Sequence, residues 1–136
     1  MKAEHCIFFQ LAKAYQTGSR FWKDKLADCD VTAVQALVLA FLEEEDQISS
    51  VTLGHRIQVD SATLTGVLDR LEGFGYLERR KNPRDRRAIL IALTEAGHKI
   101  AQRIGTILIE GNREFLSRLD PEEAKQLRRL LCKIRG

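Results

Sequence analysis

Six basic side chains, Arg79, Arg80, Lys81, Arg84, Arg86 and Arg87, fall between Tyr76 and Arg87, opposed there only by Glu78 and Asp85. Their local balance of +4 exceeds the +3 of the whole 136-residue chain, so the rest of the molecule sums to −1. Charge gathered in one place binds a polyanion by releasing its condensed counterions, which a diffuse charge of the same total does less well. The residues on either side, Tyr76 to Arg80 and Ala88 to Leu93, are rich in strand formers around the Asn82-Pro83 turn, so the cations are expected on a β-hairpin. Asp85 stands two residues before Arg87. At that spacing a carboxylate can pair with a guanidinium and hold it for the narrow, electronegative minor groove of duplex DNA. The competing reading is an ordinary solvated turn, whose Asp-Arg pair would contribute well under about 1 kcal/mol.

Other chemistries find little support. The three His and three Cys (Cys6, Cys29, Cys132) never fall at metal-ligand spacing, and no Cys-x-x-Cys pair occurs. There is no phosphate-binding glycine loop and no Ser, His and acid set. No catalytic residue, metal or cofactor is therefore expected. The cysteines read as free thiols.

The basic hairpin needs a scaffold, and the composition favours a helical one. Hydrophobic residues make up 44% and charged residues 30% of the chain, with only two prolines, which suits a single helix-rich domain with a core of its own. No apolar run is long enough to span a bilayer, and the N-terminus lacks the pattern of a secretory signal, so the protein is expected in the cytoplasm, away from membranes.

Helical spacing of Ile7, Phe8, Leu11, Ala14, Tyr15, Phe21, Trp22 and Leu26 predicts a first helix over 5–28, apolar on more than one stripe. A helix that broad in its apolar coverage calls for a second copy of the chain as partner. Thr32 and Gln35 fit a capping box opening a second helix over 33–45. Ser49 or Ser50 caps a third through Gln58, with Val51, Leu53 and Ile57 as candidate buried positions, and Asp60 caps a fourth. In that fourth helix, Leu64, Val67, Leu68, Leu71 and Phe74 share one side. Gly75 ends it. After the hairpin, Thr94 caps a long helix to about Arg118, interrupted at Gly105 and Gly111, and Asp120-Pro121-Glu122-Glu123 opens a last one to about 134.

Helix, turn, helix, hairpin is the order of a winged helix-turn-helix, here flanked by long helices. The expected fold is mainly α with a small β-hairpin wing. The N-terminal part of a dimerisation lobe would span 1–30, the DNA-binding unit 31–94, and the C-terminal helices of the lobe 95–136. The second helix of such a motif enters the major groove, so Ser61, Ala62, Thr63, Thr65, Gly66, Asp69 and Arg70 are candidates to reach bases or nearby phosphates. Thr52, His55 and Arg56 on the preceding helix are candidates for phosphate contact, with His55 the weakest. Arg84, Asp85, Arg86 and Arg87 complete the set at the wing.

Four stretches in this order resemble the MarR family of bacterial transcription regulators. They are Val31-Thr32-Ala33-Val34-Gln35, Asp60 to Glu72, Gly75-Tyr76-Leu77-Glu78-Arg79 leading into Asn82 to Arg87, and Leu93-Thr94-Glu95-Ala96-Gly97. The resemblance implies a homodimer whose first, fifth and sixth helices intertwine, with two winged units reading a pseudo-palindrome in double-stranded DNA. It also implies that Asp85 and Arg87 form a wing Asp-x-Arg supporting minor-groove contact. Such proteins usually repress transcription, and release DNA when a small aromatic or lipophilic anion binds between the lobes or when a cysteine is oxidised. Some members carry arginine where Gly66 stands, so base readout here must rely on other residues.

For the effector, the resemblance points to Phe8, Phe9, Ala12, Tyr15, Arg20 and Trp22, of which Arg20 could meet a carboxylate. For redox control it points to Cys6, near the start of the first helix, with Cys132 on the last helix as a conceivable partner across the dimer. A winged protein-interaction module that does not bind DNA remains the alternative, and the wing discriminates, since such a module has no need of the six cations.

Overall fold

A computed structural model describes all residues, 1–136. Six α-helices and a three-stranded sheet follow in the order α1 (Ile7–Lys25), α2 (Ala33–Glu44), β1 (Ile48–Ser49), α3 (Ser50–Ile57), α4 (Ser61–Gly73), β2 (Leu77–Asn82), β3 (Asp85–Leu93), α5 (Glu95–Phe115) and α6 (Pro121–Arg135). Short 3-10 turns at Ala3–His5 and Ala27–Cys29 flank α1, which therefore stops before the expected Asp28. No helix is long and apolar enough to cross a membrane.

The helix starts follow their capping residues. Thr32 and Gln35 form a reciprocal capping box, and Asp120 with Glu123 forms another ahead of Pro121. Ser49, Asp60 and Thr94 each accept a first-turn amide. Gly75, just past the end of α4, has φ of +79°, a left-handed backbone that a side chain would oppose.

The core lies at the centre of the winged unit. Leu39, Leu42, Leu53, Leu71, Leu77, Ile91 and Ile104 are all fully enclosed, which joins α2, α3, α4, the sheet and α5 around one apolar interior. Two expected core positions are not in it. Val51 is 68% exposed because α3 turns it away from the leucine seam, and Phe74, one residue past the end of α4, is 51% exposed with its ring 5.9 Å from that of Tyr76. Nor is α5 interrupted: it runs unbroken through Gly105 and Gly111. Gly111 instead receives the Trp22 ring, where an added Cβ would lie 2.4 Å from a ring carbon.

Both hairpin strands extend further toward the tip than the strand-forming residues indicate. β3 lies between β1 and β2, antiparallel to both, with Leu77 opposite Leu93, Arg79 opposite Ile91 and Ile48 also opposite Ile91. The two-residue β1 carried no sequence signal, since Ile48-Ser49 is too short for an alternating pattern. An irregularity at Lys81/Asn82 brings Asn82 opposite Asp85 around Pro83.

Candidate nucleic-acid interface

Helix α4 and the hairpin are fixed to each other by one arginine. Arg79, on β2, donates to Asp69 at 2.8 Å and to Glu72 at 2.9 Å, both on α4. These charge-assisted bonds hold the root of the hairpin against the helix. Asp69 therefore serves as an anchor for Arg79 through Oδ1, and a base would have to compete with that bond. Arg79 had no more signal in the sequence than its neighbours in the basic run.

Arg56 is likewise engaged. It binds Glu44 at 2.9 Å and Glu45 at 3.1 Å, with its guanidinium 5.0 Å from the Phe41 ring centre. A phosphate would have to compete with both carboxylates. On α3, Thr52 and His55 remain exposed, the Thr52 hydroxyl accepting from Ser49 at 2.9 Å.

Along α4, the candidates Ser61, Ala62, Thr63, Thr65, Gly66 and Arg70 all lie on the exposed side. Their hydroxyls are partly engaged in the helix itself. Thr63 donates through its hydroxyl to Asp60 at 2.7 Å and through its amide at 2.8 Å. These bonds, the hydroxyl first, hold the Asp60 carboxyl below its usual range. Thr65 donates back to the Ser61 carbonyl at 2.8 Å. Gly66 faces open space, with nothing within 4 Å of an added Cβ. Arg70 lines a groove of about 540 Å³ with Lys23, Leu26, Asp30, Val31 and Phe74, so it faces the ends of α1 and α4 and the start of α2.

At the wing tip, Arg84, Asp85, Arg86 and Arg87 are all exposed. Asp85 does not pair with the Arg87 guanidinium. Its carboxylate accepts the Arg87 main-chain amide at 3.0 Å, as Asn82 accepts that of Arg84 at 3.0 Å. Two side-chain-capped turns thus shape the tip, and the guanidinium groups of Arg84, Arg86 and Arg87 carry no ion pair. By contrast, Arg80 is paired with Glu78.

The effector candidates do not gather at one site. Phe8 and Tyr15 are 79% and 76% exposed, and Arg20 is exposed as well. Trp22 borders an apolar cavity of about 210 Å³ with Leu26, Ala33, Leu37, Leu108 and Asn112. Cys6 is half-buried just before α1, Cys29 is buried and Cys132 exposed.

Comparison with known proteins agrees with this arrangement. The sequence profile of the MarR family matches residues 31–89, which hold α2 to most of β3. The chain is 31% identical over 131 residues to the organic hydroperoxide resistance transcriptional regulator of Bacillus subtilis, covering 96% of this chain and 88% of that one. A mutant of Escherichia coli MarR complexed with operator DNA superposes with a TM-score of 0.84 at 31% identity, over 92% of this chain and 90% of that one. BpsR of Bordetella bronchiseptica, solved in a study of how 6-hydroxynicotinic acid regulates its DNA binding, gives a TM-score of 0.94 at 26% identity, over 100% and 97%.

Proposed function

We propose, since the chain belongs to the MarR family of DNA-binding transcription regulators, that it is a cytoplasmic repressor that binds a pseudo-palindromic operator as a homodimer. The observation that carries this reading is the contrast in ion pairing. Arg56, Arg79 and Arg80 are neutralised by neighbouring carboxylates, whereas Arg84, Arg86 and Arg87 stand unpaired at the wing tip beyond the exposed side of α4. Unpaired, solvated cations next to a helix-turn-helix are the form in which charge acts on a polyanion.

Dimerisation is supported by the terminal helices. Ile7, Phe8 and Tyr15 on α1 and Ile134 on α6 are 63–79% exposed, and Leu11, Leu127, Leu130 and Leu131 are 37–41% exposed. So much uncovered apolar surface on the two ends of one chain calls for a protein partner, and a second copy offers the same surfaces in return. Residues 1–30 and 95–136 then form the dimerisation lobe around the DNA-binding unit 31–94.

An anionic aromatic effector is assigned to the groove in which Lys23 and Arg70, opposed by Asp30, stand over Leu26, Val31 and Phe74. Arg70 belongs to α4, so a carboxylate there would act on the recognition helix itself. A redox-responsive repressor is the second reading. It is favoured by the hydroperoxide regulator among the relatives and by the partial accessibility of Cys6; equal DNA affinity before and after peroxide treatment would remove it.

Selection of random duplex DNA by the purified protein at two salt concentrations tests the main proposal. The expected result is an inverted repeat with half-sites about one helical turn apart, bound less tightly at the higher salt. Absence of both enrichment and salt dependence would leave an interaction module or a regulator that needs a ligand to bind DNA.

A further inference from the structure

The side chains that best distinguish base edges are Arg or Lys, bidentate on guanine, Asn or Gln, bidentate on adenine, and Asp or Glu, accepting from the cytosine amino group. The amino-terminal half of α4, which in a helix-turn-helix faces those edges, contains none of them: it runs Ser61-Ala62-Thr63-Leu64-Thr65-Gly66. Further along, Asp69 is held by Arg79 and Arg70 faces the groove toward α1. The hydroxyl hydrogens of Thr63 and Thr65 are donated within the helix, to Asp60 and to the Ser61 carbonyl. With its hydroxyl turned back on the helix, Thr65 offers its methyl group, beside that of Ala62.

An independent observation lies on α3. Val51 is 68% exposed and borders, with Ser61, Thr65 and Gln58, a groove of about 520 Å³ between α3 and α4. Core packing does not account for this valine, which is open to solvent on α3. The apolar group that B-DNA presents at the base edges of its major groove is the thymine 5-methyl.

We propose that Val51 on α3 and Ala62 and Thr65 on α4 form a methyl-reading surface, and that the half-site is specified there through thymine 5-methyl groups and not through an arginine fork on guanine. The inference rests on the DNA-binding reading above.

The test uses the duplex enriched by selection, with each half-site thymine replaced in turn by deoxyuridine, which removes the methyl and keeps the base pairing. One or more positions should lose about fourfold in affinity, the effect of withdrawing one buried methyl-sized group. Val51→Ser should abolish the uracil penalty at the position it touches while leaving the salt dependence unchanged. Equal affinity for thymine and uracil at every position overturns the proposal with the DNA-binding reading intact. So does an enriched half-site fixed by guanine and free of required thymine. Failure to enrich any sequence, with no salt-dependent binding, refutes the reading beneath it and the proposal with it.

Discussion

The root and the tip of the hairpin share two strands and a high density of charge, yet they use it in opposite ways. At the root, Leu77, Ile91 and Leu93 are buried, Arg79 is bound by Asp69 and Glu72, and Asp46 accepts the Leu93 amide at 2.9 Å. At the tip, only main-chain amides are captured, by Asn82 and Asp85, and three guanidinium groups remain without a partner. Paired charge fixes the position of the wing. Unpaired charge is left for whatever the wing touches. A count of Lys and Arg across the segment cannot separate these two roles, because separation depends on which carboxylates the fold brings within reach.

The comparison predicts its largest effect at the root. Gly97 lies so close to β2 that an added Cβ would stand 1.8 Å from the Tyr76 carbonyl oxygen, where Thr94 also donates its amide at 3.1 Å and bonds Gly75 through its hydroxyl at 2.6 Å. Gly97→Ala must push α5 away from the hairpin, and overpacking of this kind costs about 3 kcal/mol. A thermal melt followed by circular dichroism should show Tm lower by about 10 °C. Gly66→Ala is the matched control. It meets open space on a helix and should stabilise the protein by up to about 1 kcal/mol. A neutral Gly97→Ala would mean that the root is not the fixed half of the hairpin.

At the tip the order of effects reverses: little on stability, much on binding. Replacing Arg84, Arg86 and Arg87 with Ala removes no ion pair and no buried contact, so the melt should be nearly unchanged. If all three meet phosphates, the slope of log affinity against log salt should flatten by about 3. Filter binding or fluorescence anisotropy on the selected duplex, at several salt concentrations, measures this. An unchanged slope would transfer the DNA contact elsewhere and leave the tip as a solvated turn.

Much of this division was legible in the sequence only as far as local rules reach. The capping residues Thr32, Asp60, Thr94 and Asp120 and the turn at Pro83 act through neighbours a few positions away, and the helices begin where they indicate. Likewise, Gly75 marks its helix end by backbone conformation alone. What stayed hidden is long-range. Arg56 is engaged by carboxylates 11 and 12 positions earlier and Arg79 by carboxylates 7 and 10 positions earlier, so neither could be told from a free cation. The same holds for Asp85, whose spacing to Arg87 suited a side-chain pair and a main-chain turn equally well. Phe8 and Tyr15 project from the uncovered face of α1, so the site read onto them does not form within one chain.

His98 gives the smallest effect and the finest test of the root. On α5, it bonds Glu43 through Nδ1 at 2.8 Å and approaches Asp46 through Nε2 at 3.3 Å, and the same Asp46 carboxylate receives the Leu93 amide. The hydrogen bond to Glu43 leads in raising its pKa above 6.5, partial burial opposes it, and the charges of Glu43 and Asp46 add to the rise. A group whose folded pKa is raised stabilises the fold fully below its unfolded pKa, and that contribution disappears as pH rises through the folded value. Stability should therefore decline from below pH 6.5 toward alkaline pH in the native chain. In His98→Gln that part of the decline should be absent, because glutamine keeps hydrogen-bonding capacity and cannot take a charge. The effect is modest because the imidazole remains 44% exposed. Urea titrations at a series of pH values, comparing the two proteins, measure it as a difference in slope. Parallel curves would show that the carboxylates hold the root without the proton on His98. Under that outcome, the hydrogen bond from the Leu93 amide to Asp46 and the ion pairs of Arg79 with α4 would be the remaining polar anchors of the wing.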